Sequence, residues 1–506
     1  MRVAVGGPTY TDERSALKRG QLQLLVIGAA AAGWSALNAI EPERQWLAGD
    51  SHIHSHWSAD YDETRNPPEP ITGVDGRYAT PVNAHRARLH GLSWMVTTDH
   101  GGPNHSKLNL TRAYQELKAS REMVPEVLQF YGMELNMPAM DHHTLIIPNS
   151  AAEASMLYDI ESRFDAQEAW PREPSRNTEA HAARALEYMK SLPLLPVMFA
   201  NHPSRSASGV GVYGLNEPRE LRANHSLAPD VYRGMEGAPG HQAGTLAPDG
   251  SQKKNSAGQP SGARGGYGRE GARTFGGFDQ MTAIVGGLWD SMLGEGRRFW
   301  IVATSDSHAH YADAARPGSD FWPGEYQKTY VHAVRNYHGV LDALRSGRIF
   351  AVAGDLITEL NLQAKSGRRT AVIGETLTAE KGQPITLAIT FRDPDGKNAH
   401  GDNPRVTRVD VITGDVQGPA ADPNNDRNPT TRVVERITER QWKRDRDTYT
   451  MTTTLPARDR SFYIRVRGTN TQDAEPPMDA AGESPWPDLW FYSNPIFVEL
   501  GTSIAK

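Results

Sequence analysis

Between Trp46 and about Val352 the chain alternates short apolar runs with stretches of helical spacing. Residues 82–91, VNAHRARLHG, have helical spacing and a terminal glycine, and they lead into the apolar run SWMVTT. Residues 177–192, NTEAHAARALEYMKSL, begin with polar capping residues and lead into LLPVMFA. Repetition of strand, helix and strand predicts a parallel sheet, and over this length we expect the sheet to close into a barrel.

The pattern changes near residue 354. Residues 341–354, LDALRSGRIFAVAG, are typical of a last barrel helix and its exit strand. Beyond them apolar and polar residues alternate with a period of two in five runs, which are 384–391, 405–412, 448–455, 461–468 and 494–500. The predicted fold class is therefore α/β: a barrel over residues 46–354, followed by a smaller all-β sandwich of immunoglobulin-like type over residues 355–506.

Residues 237–278 interrupt the barrel pattern with a long glycine-rich insert. The insert contains twelve glycines and five cationic side chains, which are Lys253, Lys254, Arg264, Arg269 and Arg273. A stretch this poor in apolar residues is not expected to order itself by burial. It is either a mobile lid whose cations meet an anionic substrate or a solvated loop without a role.

The overall composition is that of an ordinary globular protein, with 38% hydrophobic and 23% charged residues. A net charge of −6 argues against binding to nucleic acid by neutralising phosphates, so we expect no specific nucleic-acid partner. The chain has no cysteine, which excludes disulfides and thiolate ligands. Any metal ion must therefore be held by His, Asp and Glu side chains.

Residues 1–45 have the plan of a secretory signal. Basic residues precede the apolar run 22–33, which is too short to span a bilayer and is followed by small residues. Leu37 and Ala39 form a weak cleavage site, and an amphipathic helix is the alternative. We expect a periplasmic or secreted protein without a transmembrane span in its mature chain, or a cytoplasmic one if residues 1–39 are not a signal.

Four short motifs concentrate histidine and aspartate: HIHSHWSAD (52–60), TTDH (97–100), ANHP (200–203) and TSDSH (304–308). Three of them directly follow apolar runs. Imidazole and carboxylate both bind Zn²⁺, Mn²⁺ and Fe, and barrel enzymes place their chemistry at the carboxyl ends of strands. Together the motifs predict a metalloenzyme.

Further ligands follow from the geometry of strands. His52 and His54 are two residues apart, so on a strand both side chains point to one face. Glu134 follows the apolar run VLQFYGM, and its two oxygens can bridge two ions. The segment DHHTLIIP offers either His142 or His143 ahead of a strand.

Over residues 46–335 this ordered set of motifs resembles the PHP (polymerase and histidinol phosphatase) superfamily. The resemblance implies a distorted seven-stranded (β/α) barrel with three divalent ions of Zn, Mn or Fe. It assigns ligands to each ion, which are His52, His54, Glu134 and Asp306 for the first, Glu134, His143 and His202 for the second, and Asp60, His100 and His308 for the third. His56 stands closer to the first motif than Asp60, and His142 adjoins His143, so both positions have two candidates.

The resemblance implies hydrolysis of phosphate mono- or diesters of a small phosphorylated substrate, with a metal-bridging hydroxide as nucleophile and Asp306 essential. Arg205, three residues after His202, is a candidate clamp for the phosphoryl oxygens, and a surface salt bridge is the alternative. Asp99 is a candidate to orient His100 or to accept a proton.

Three other functions are consistent with parts of the pattern. An amidohydrolase or lactonase barrel also begins with H-x-H, although such enzymes usually carry a carboxylated lysine where this chain has Glu134. A binding protein would keep metal ions for structure alone. A nuclease ranks last, because the chain has no basic stripe or cluster of stacking aromatic residues.

Overall fold

A computed structural model describes residues 43–207, 211–268 and 271–501 of the chain. The signal predicted over residues 1–45 lies outside the described residues except for its last three. Among the described residues no helix combines the length and the apolar character needed to cross a membrane.

The strands are β1 (Gln45–Ile53), β2 (Asp60–Asp62), β3 (Glu69–Ile71), β4 (Trp94–Thr97), β5 (Leu128–Leu135), β6 (His143–Ile146), β7 (Val197–Ala200), β8 (Tyr232–Ala238), β9 (Thr274–Phe275), β10 (Phe278–Asp279), β11 (Trp300–Ala303), β12 (Gln327–Ala333), β13 (Ile349–Ala353), β14 (Glu359–Ser366), β15 (Arg369–Val372), β16 (Thr376–Glu380), β17 (Ile385–Arg392), β18 (Arg408–Asp415), β19 (Arg432–Thr438), β20 (Lys443–Asp445), β21 (Thr448–Leu455), β22 (Phe462–Thr469), β23 (Trp490–Ser493) and β24 (Ile496–Gly501). The α-helices are α1 (Thr80–Leu89), α2 (His105–Leu108), α3 (Tyr114–Met123), α4 (Glu153–Phe164), α5 (Glu179–Lys190), α6 (Pro218–Leu227), α7 (Gln280–Ala283), α8 (Leu288–Gly294) and α9 (Tyr337–Ser346). A π-helical turn spans Asn109–Ala113, and 3-10 turns span Pro174–Arg176, Arg205–Ala207 and Gln242–Thr245.

The apolar runs of the first part of the chain form neighbouring strands of one large mixed sheet. Seven of these strands lie in the order β11-β8-β7-β6-β5-β4-β1. The runs are almost wholly buried, as expected for strands covered on both faces. Helices α4 and α5 contribute Leu157, Ile160, Leu186 and Met189 to the same core. The predicted helices over 82–91 and 177–192 correspond to α1 and α5.

One strand departs from the predicted parallel arrangement. β6 runs antiparallel to both of its neighbours, β5 and β7, while the other neighbouring pairs of this row are parallel. The link between β5 and β6 spans only residues 136–142, and a parallel return needs a crossover of a dozen residues or more. The amino end of β6 therefore lies at the same edge of the sheet as the carboxyl ends of the other six strands.

The period-two runs beyond residue 354 form an antiparallel β region, as predicted. Part of it is a separate five-stranded sheet in the order β15-β14-β17-β21-β20. The rest extends the large sheet, because β23 pairs with β13 and is followed by β22, β18 and β19. Side chains that alternate inward on both parts share one apolar core, including Leu362, Ile389, Val411 and Ile464.

The glycine-rich insert is anchored by polar contacts that composition alone did not predict. The hydroxyl of Tyr267, a residue 1% exposed, donates to Asp279 Oδ2 at 2.5 Å. Arg264 is buried and pairs with Asp479, whose carboxylate also accepts the N–H groups of Gly276 and Gly277 at 2.8 and 3.0 Å. The described part of the insert is therefore held by buried hydrogen bonds and an ion pair rather than by a large apolar surface.

Candidate metal centre

The row of seven strands brings the predicted motifs to one edge of the large sheet. Six strands contribute residues in or just beyond their carboxyl-terminal halves: His52 and His54 at β1, His100 after β4, Glu134 in β5, His202 after β7, Glu236 in β8, and Asp306 and His308 after β11. Strand β6 contributes from its amino end because it is antiparallel. Residues far apart in sequence thus meet in one buried cluster.

The first group consists of His52, His54, Glu134 and Asp306, all of them buried. The Nε2 atoms of the two imidazoles lie 3.0 Å apart. Both lie 3.3 Å from Glu134 Oε2, and they lie 3.1 and 3.2 Å from Asp306 Oδ1. Four potential ligand atoms therefore converge on one point.

The hydrogen bonds around the first group fit a bound cation. Nδ1 of His52 lies 2.7 Å from Glu236 Oε1, so the network assigns the proton to Nδ1 and leaves a lone pair on Nε2. Asp306 Oδ1 is buried and has no partner with hydrogen-bond geometry among the described residues, although two imidazoles lie beside it. A cation between these lone pairs would offset their mutual repulsion. The buried histidine and acidic side chains can therefore hold metal ions.

Glu134 lies at the middle of the cluster and faces five imidazoles. Its Oε2 contacts His100 Nδ1 at 3.1 Å in addition to the first pair, while its Oε1 contacts His202 Nε2 at 3.0 Å and His142 Nδ1 at 3.2 Å. Burial alone would raise the pKa of Glu134, but the surrounding imidazoles, His52 and His100 above all, hold it well below the usual range. The carboxylate is thus a charged group, and each of its two oxygens contacts a different set of histidines.

Another group of potential ligands contains His54, Asp75, His100 and His308. The rings of His54 and His308 stack with centroids 3.7 Å apart. Ser58 links this group to the first, because its hydroxyl donates to Asp75 Oδ2 at 2.6 Å and lies 3.1 Å from His54 Nδ1. The structure therefore places Asp75 where the resemblance assigned Asp60.

Neither sequence candidate for that third carboxylate position joins the group. Asp60 is exposed at the start of β2 and lines the cavity outside the cluster. His56 lies 2.8 Å from Glu116 Oε2. Both follow His54 closely in sequence, but the loop after β1 turns away and residue 75 returns to the cluster instead.

The structure also decides between the two adjacent histidines at β6. His143 is fully buried, with Nε2 2.7 Å from the Tyr232 hydroxyl and Nδ1 2.9 Å from the carbonyl of Asp141. Consecutive side chains of an extended segment point to opposite sides, so His142 faces Glu134 while His143 faces the core. The position expected for His143 is therefore taken by His142, the histidine of this pair that faces the cluster.

Substitutions at these two positions test the assignment. We expect His142→Gln to weaken metal binding by about tenfold or more, since even loss of a group that supports a ligand costs 10- to 100-fold. We expect His143→Gln to keep the metal content and to lower the free energy of unfolding by about 1–3 kcal/mol, because it removes a buried hydrogen bond. Metal analysis and urea unfolding of both variants give the comparison, and equal metal loss in the two would contradict it.

Asp99 supports the backbone near the cluster. Its carboxylate accepts the Ser55 N–H at 2.6 Å and the Ser55 hydroxyl at 2.8 Å, and burial raises its pKa. It therefore holds the turn that follows His54 in place. The structure shows this contact in place of the predicted contact with the His100 ring.

Arg205 lies at the mouth of the cluster. Its Nη1 is 3.6 Å from Asp306 Oδ2, and its side chain is 24% exposed. It lines a cavity of about 640 Å³ whose floor includes His100, Glu134, Asp306 and His308. Arg77 and Arg316 line the same cavity. The cluster is thus open to a ligand on a side that carries cationic groups.

Three residues of the cluster adopt a backbone conformation that side chains other than glycine rarely take. The φ angles are +27° for His202, +58° for His241 and +48° for Asp306. Such strain costs of order 1–3 kcal/mol per residue and concentrates at functional sites. The rest of the fold therefore holds these three side chains in place at the expense of local stability.

Sequence reasoning missed several members of the cluster, namely Asp75, Asp141, Glu236, His241 and Asp320. A signal existed for His241, since it follows the apolar strand β8 just as the recognised motifs follow theirs. It was assigned to the glycine-rich insert instead. Asp75 and Asp320 lie in loops whose pattern indicates no chemistry.

The sequence was also compared with known proteins. No protein-family model matches the chain, and no curated protein matches it. The function is therefore inferred from the geometry of the cluster.

Proposed function

We propose that this protein is a metal-dependent hydrolase of the PHP type that cleaves phosphate mono- or diesters. The observation that carries the proposal is the central position of Glu134, whose two oxygens face separate sets of histidines at the floor of a cavity lined by Arg205. A carboxylate in this position suits two neighbouring ions, and multinuclear sites suit the displacement of phosphate esters.

We propose three ion positions, held by His52, His54, Glu134 and Asp306, by Glu134, His142 and His202, and by Asp75, His100 and His308. Divalent ions there would supply Lewis-acid chemistry, activating water near neutral pH and neutralising charge on the ester oxygens. Side chains of the protein hold the ligand residues in position. Asn201 Nδ2 donates to Glu134 Oε1 at 2.9 Å, and Asp99 holds the turn after His54. Arg205 lines the cavity, where its guanidinium would bind a phosphoryl oxygen.

The proposed fold is a distorted (β/α)₇ barrel followed by an immunoglobulin-like sandwich. Support comes from contacts between the two ends of the row of seven strands. The His54 N–H, just beyond β1, donates to the Ser307 carbonyl, just beyond β11, at 3.0 Å. The Ala303 N–H at the end of β11 donates to the Thr329 hydroxyl of β12, which pairs with β1.

A substrate panel tests the function. The full chain, loaded with Mn²⁺ or Zn²⁺, would be assayed on bis(p-nitrophenyl) phosphate, p-nitrophenyl phosphate, p-nitrophenyl acetate, an anilide and a lactone. We expect turnover of at least one phosphate ester and its loss on chelation. Arg205→Met should lower kcat/KM for that ester by about 10²-fold, since a donor to developing charge is removed. Arg163→Met, an exposed arginine of α4, is the matched control and should change little.

The other outcomes distinguish the alternatives. Turnover of the carbon ester, anilide or lactone without any phosphate ester would replace the proposal with an amidohydrolase or lactonase function. Absence of all turnover in protein with confirmed metal content would favour a binding protein.

A further inference from the structure

We propose that His241, the first residue of the insert to reach the cluster, is a metal ligand, and that with Asp306 and His308 it holds a divalent ion, to which His308 belongs in place of the third ion set proposed above. These three residues form one of the groups whose ligand atoms converge. The proposal adds a residue that lies outside the three ligand sets implied by the resemblance. It also assigns a role to part of the insert, and it does not depend on which bond the protein cleaves.

The orientation of His241 is that of a metal-binding histidine. Its Nδ1 lies 2.5 Å from Asp320 Oδ1, and its Nε2 points toward Asp306. Histidine ligands commonly donate their second ring N–H to a carboxylate, which fixes the tautomer and turns the other nitrogen toward the ion. His52 shows the same arrangement, with Nδ1 at Glu236 and Nε2 in the first group. The two histidines are thus presented to the cluster in the same way.

Asp320 is held in place to perform this orienting role. Its Oδ2 accepts the N–H groups of His308 and Ala309 at 2.7 and 2.8 Å. Its Oδ1 accepts the hydroxyl of Ser319 at 2.9 Å in addition to its contact with His241. Both carboxylate oxygens are thereby engaged, and the position of the His241 ring follows from a rigid support.

The contact between His241 and Asp306 suits a divalent ion. His241 Nε2 lies 2.7 Å from Asp306 Oδ2, while Asp306 Oδ1 faces His52 and His54 on the other side. With the proton of His241 on Nδ1, two lone pairs meet at this contact. A cation held there by His241, Asp306 and His308 would offset this repulsion. Arg205 lies farther from the same oxygen, at 3.6 Å.

Glycines allow the insert to approach the cluster this closely. A Cβ atom at Gly265 would overlap the His241 ring, and one at Gly240 would overlap the carbonyl of Ser305. Gly265 also has a φ of +44°, in the left-handed region. The turn before His241 thus packs closely against the backbone at Ser305, and a later part of the insert packs against the His241 ring. At these two positions, the glycine content of the insert is explained by close packing beside His241.

Metal stoichiometry tests the proposal independently of turnover. The full chain and its variants would be loaded with Mn²⁺, freed of excess ion, and analysed for metal per chain by mass spectrometry and for affinity by calorimetric titration. We expect His241→Ala to bind one ion fewer than the unaltered protein. We expect Asp320→Asn to weaken the same ion by 10- to 100-fold, because the amide no longer fixes the imidazole.

His310→Gln is the matched control. His310 lies in the same loop as His308, but its Nε2 pairs with Glu325 at 3.0 Å. Its metal count should equal that of the unaltered protein. An unchanged number of bound ions and an unchanged metal affinity in His241→Ala would overturn the proposal. If the alanine variant does not fold, an unchanged metal affinity in Asp320→Asn would overturn it. Failure of the phosphate-ester assay would leave these counts unaffected, so the two proposals fail separately.

Discussion

Asp306→Asn is expected to abolish metal-dependent activity, with a fall in kcat/KM of about 10³-fold or more. The carboxylate contacts His52 and His54 through Oδ1 and His241 through Oδ2. Burial would raise the pKa of Asp306, but His241 and His52 hold it well below the usual range, so the group is an anion in the folded protein. The amide preserves the size of the side chain. It removes the negative charge that faces His52 and His54 on one side and His241 on the other.

The measurement pairs kinetics with metal analysis on the same protein samples. We expect Asp306→Asn to lose at least one bound ion together with its activity. Asp342→Asn is the control, because this carboxylate is half-exposed and pairs with Arg348 away from the cluster. A variant at 306 that retained both its metal content and its rate would show that the cluster is not the catalytic centre.

The second large effect is on stability. Asp290→Ala is expected to lower the free energy of unfolding by about 3–5 kcal/mol. Asp290 in α8 accepts two hydrogen bonds from Arg465 in β22, at 2.9 and 2.7 Å, and one from the Tyr463 hydroxyl at 2.9 Å. Arg465 is fully buried, and its Nη1 has no partner among the described residues even when Asp290 is present. Removal of Asp290 would leave a buried guanidinium without a counterion.

Urea unfolding of single and double variants shows how much of the lost stability comes from the unpaired buried charge of Arg465. The double variant Asp290→Ala/Arg465→Met removes both charges and should regain much of the loss. The pair Arg219 and Glu179 serves as an exposed comparison, where loss of the acid should cost no more than about 1 kcal/mol. A loss below 1 kcal/mol in Asp290→Ala would contradict the expectation.

The sequence by itself determined many strands of the fold and part of the cluster. Apolar runs followed by motifs with His, Asp or Asn predicted β4, β7 and β11 and the residues that follow them. The alternation beyond residue 354 predicted the antiparallel region, including β17 and β21. These features depend on local periodicity and on the residue types at strand ends. Both can be recognised from a few neighbouring residues of the sequence.

Only the tertiary structure decided which of several nearby side chains reaches the cluster. The choice of His142 over His143 depends on the antiparallel direction of β6, and the choice of Asp75 over Asp60 depends on the path of the loop after β1. His241 reaches Asp306 because β8 lies beside β11, and its orientation depends on Asp320, 79 residues further along the chain. Such contacts are fixed by strand order and register between distant segments, and a single sequence carries no local pattern that specifies them.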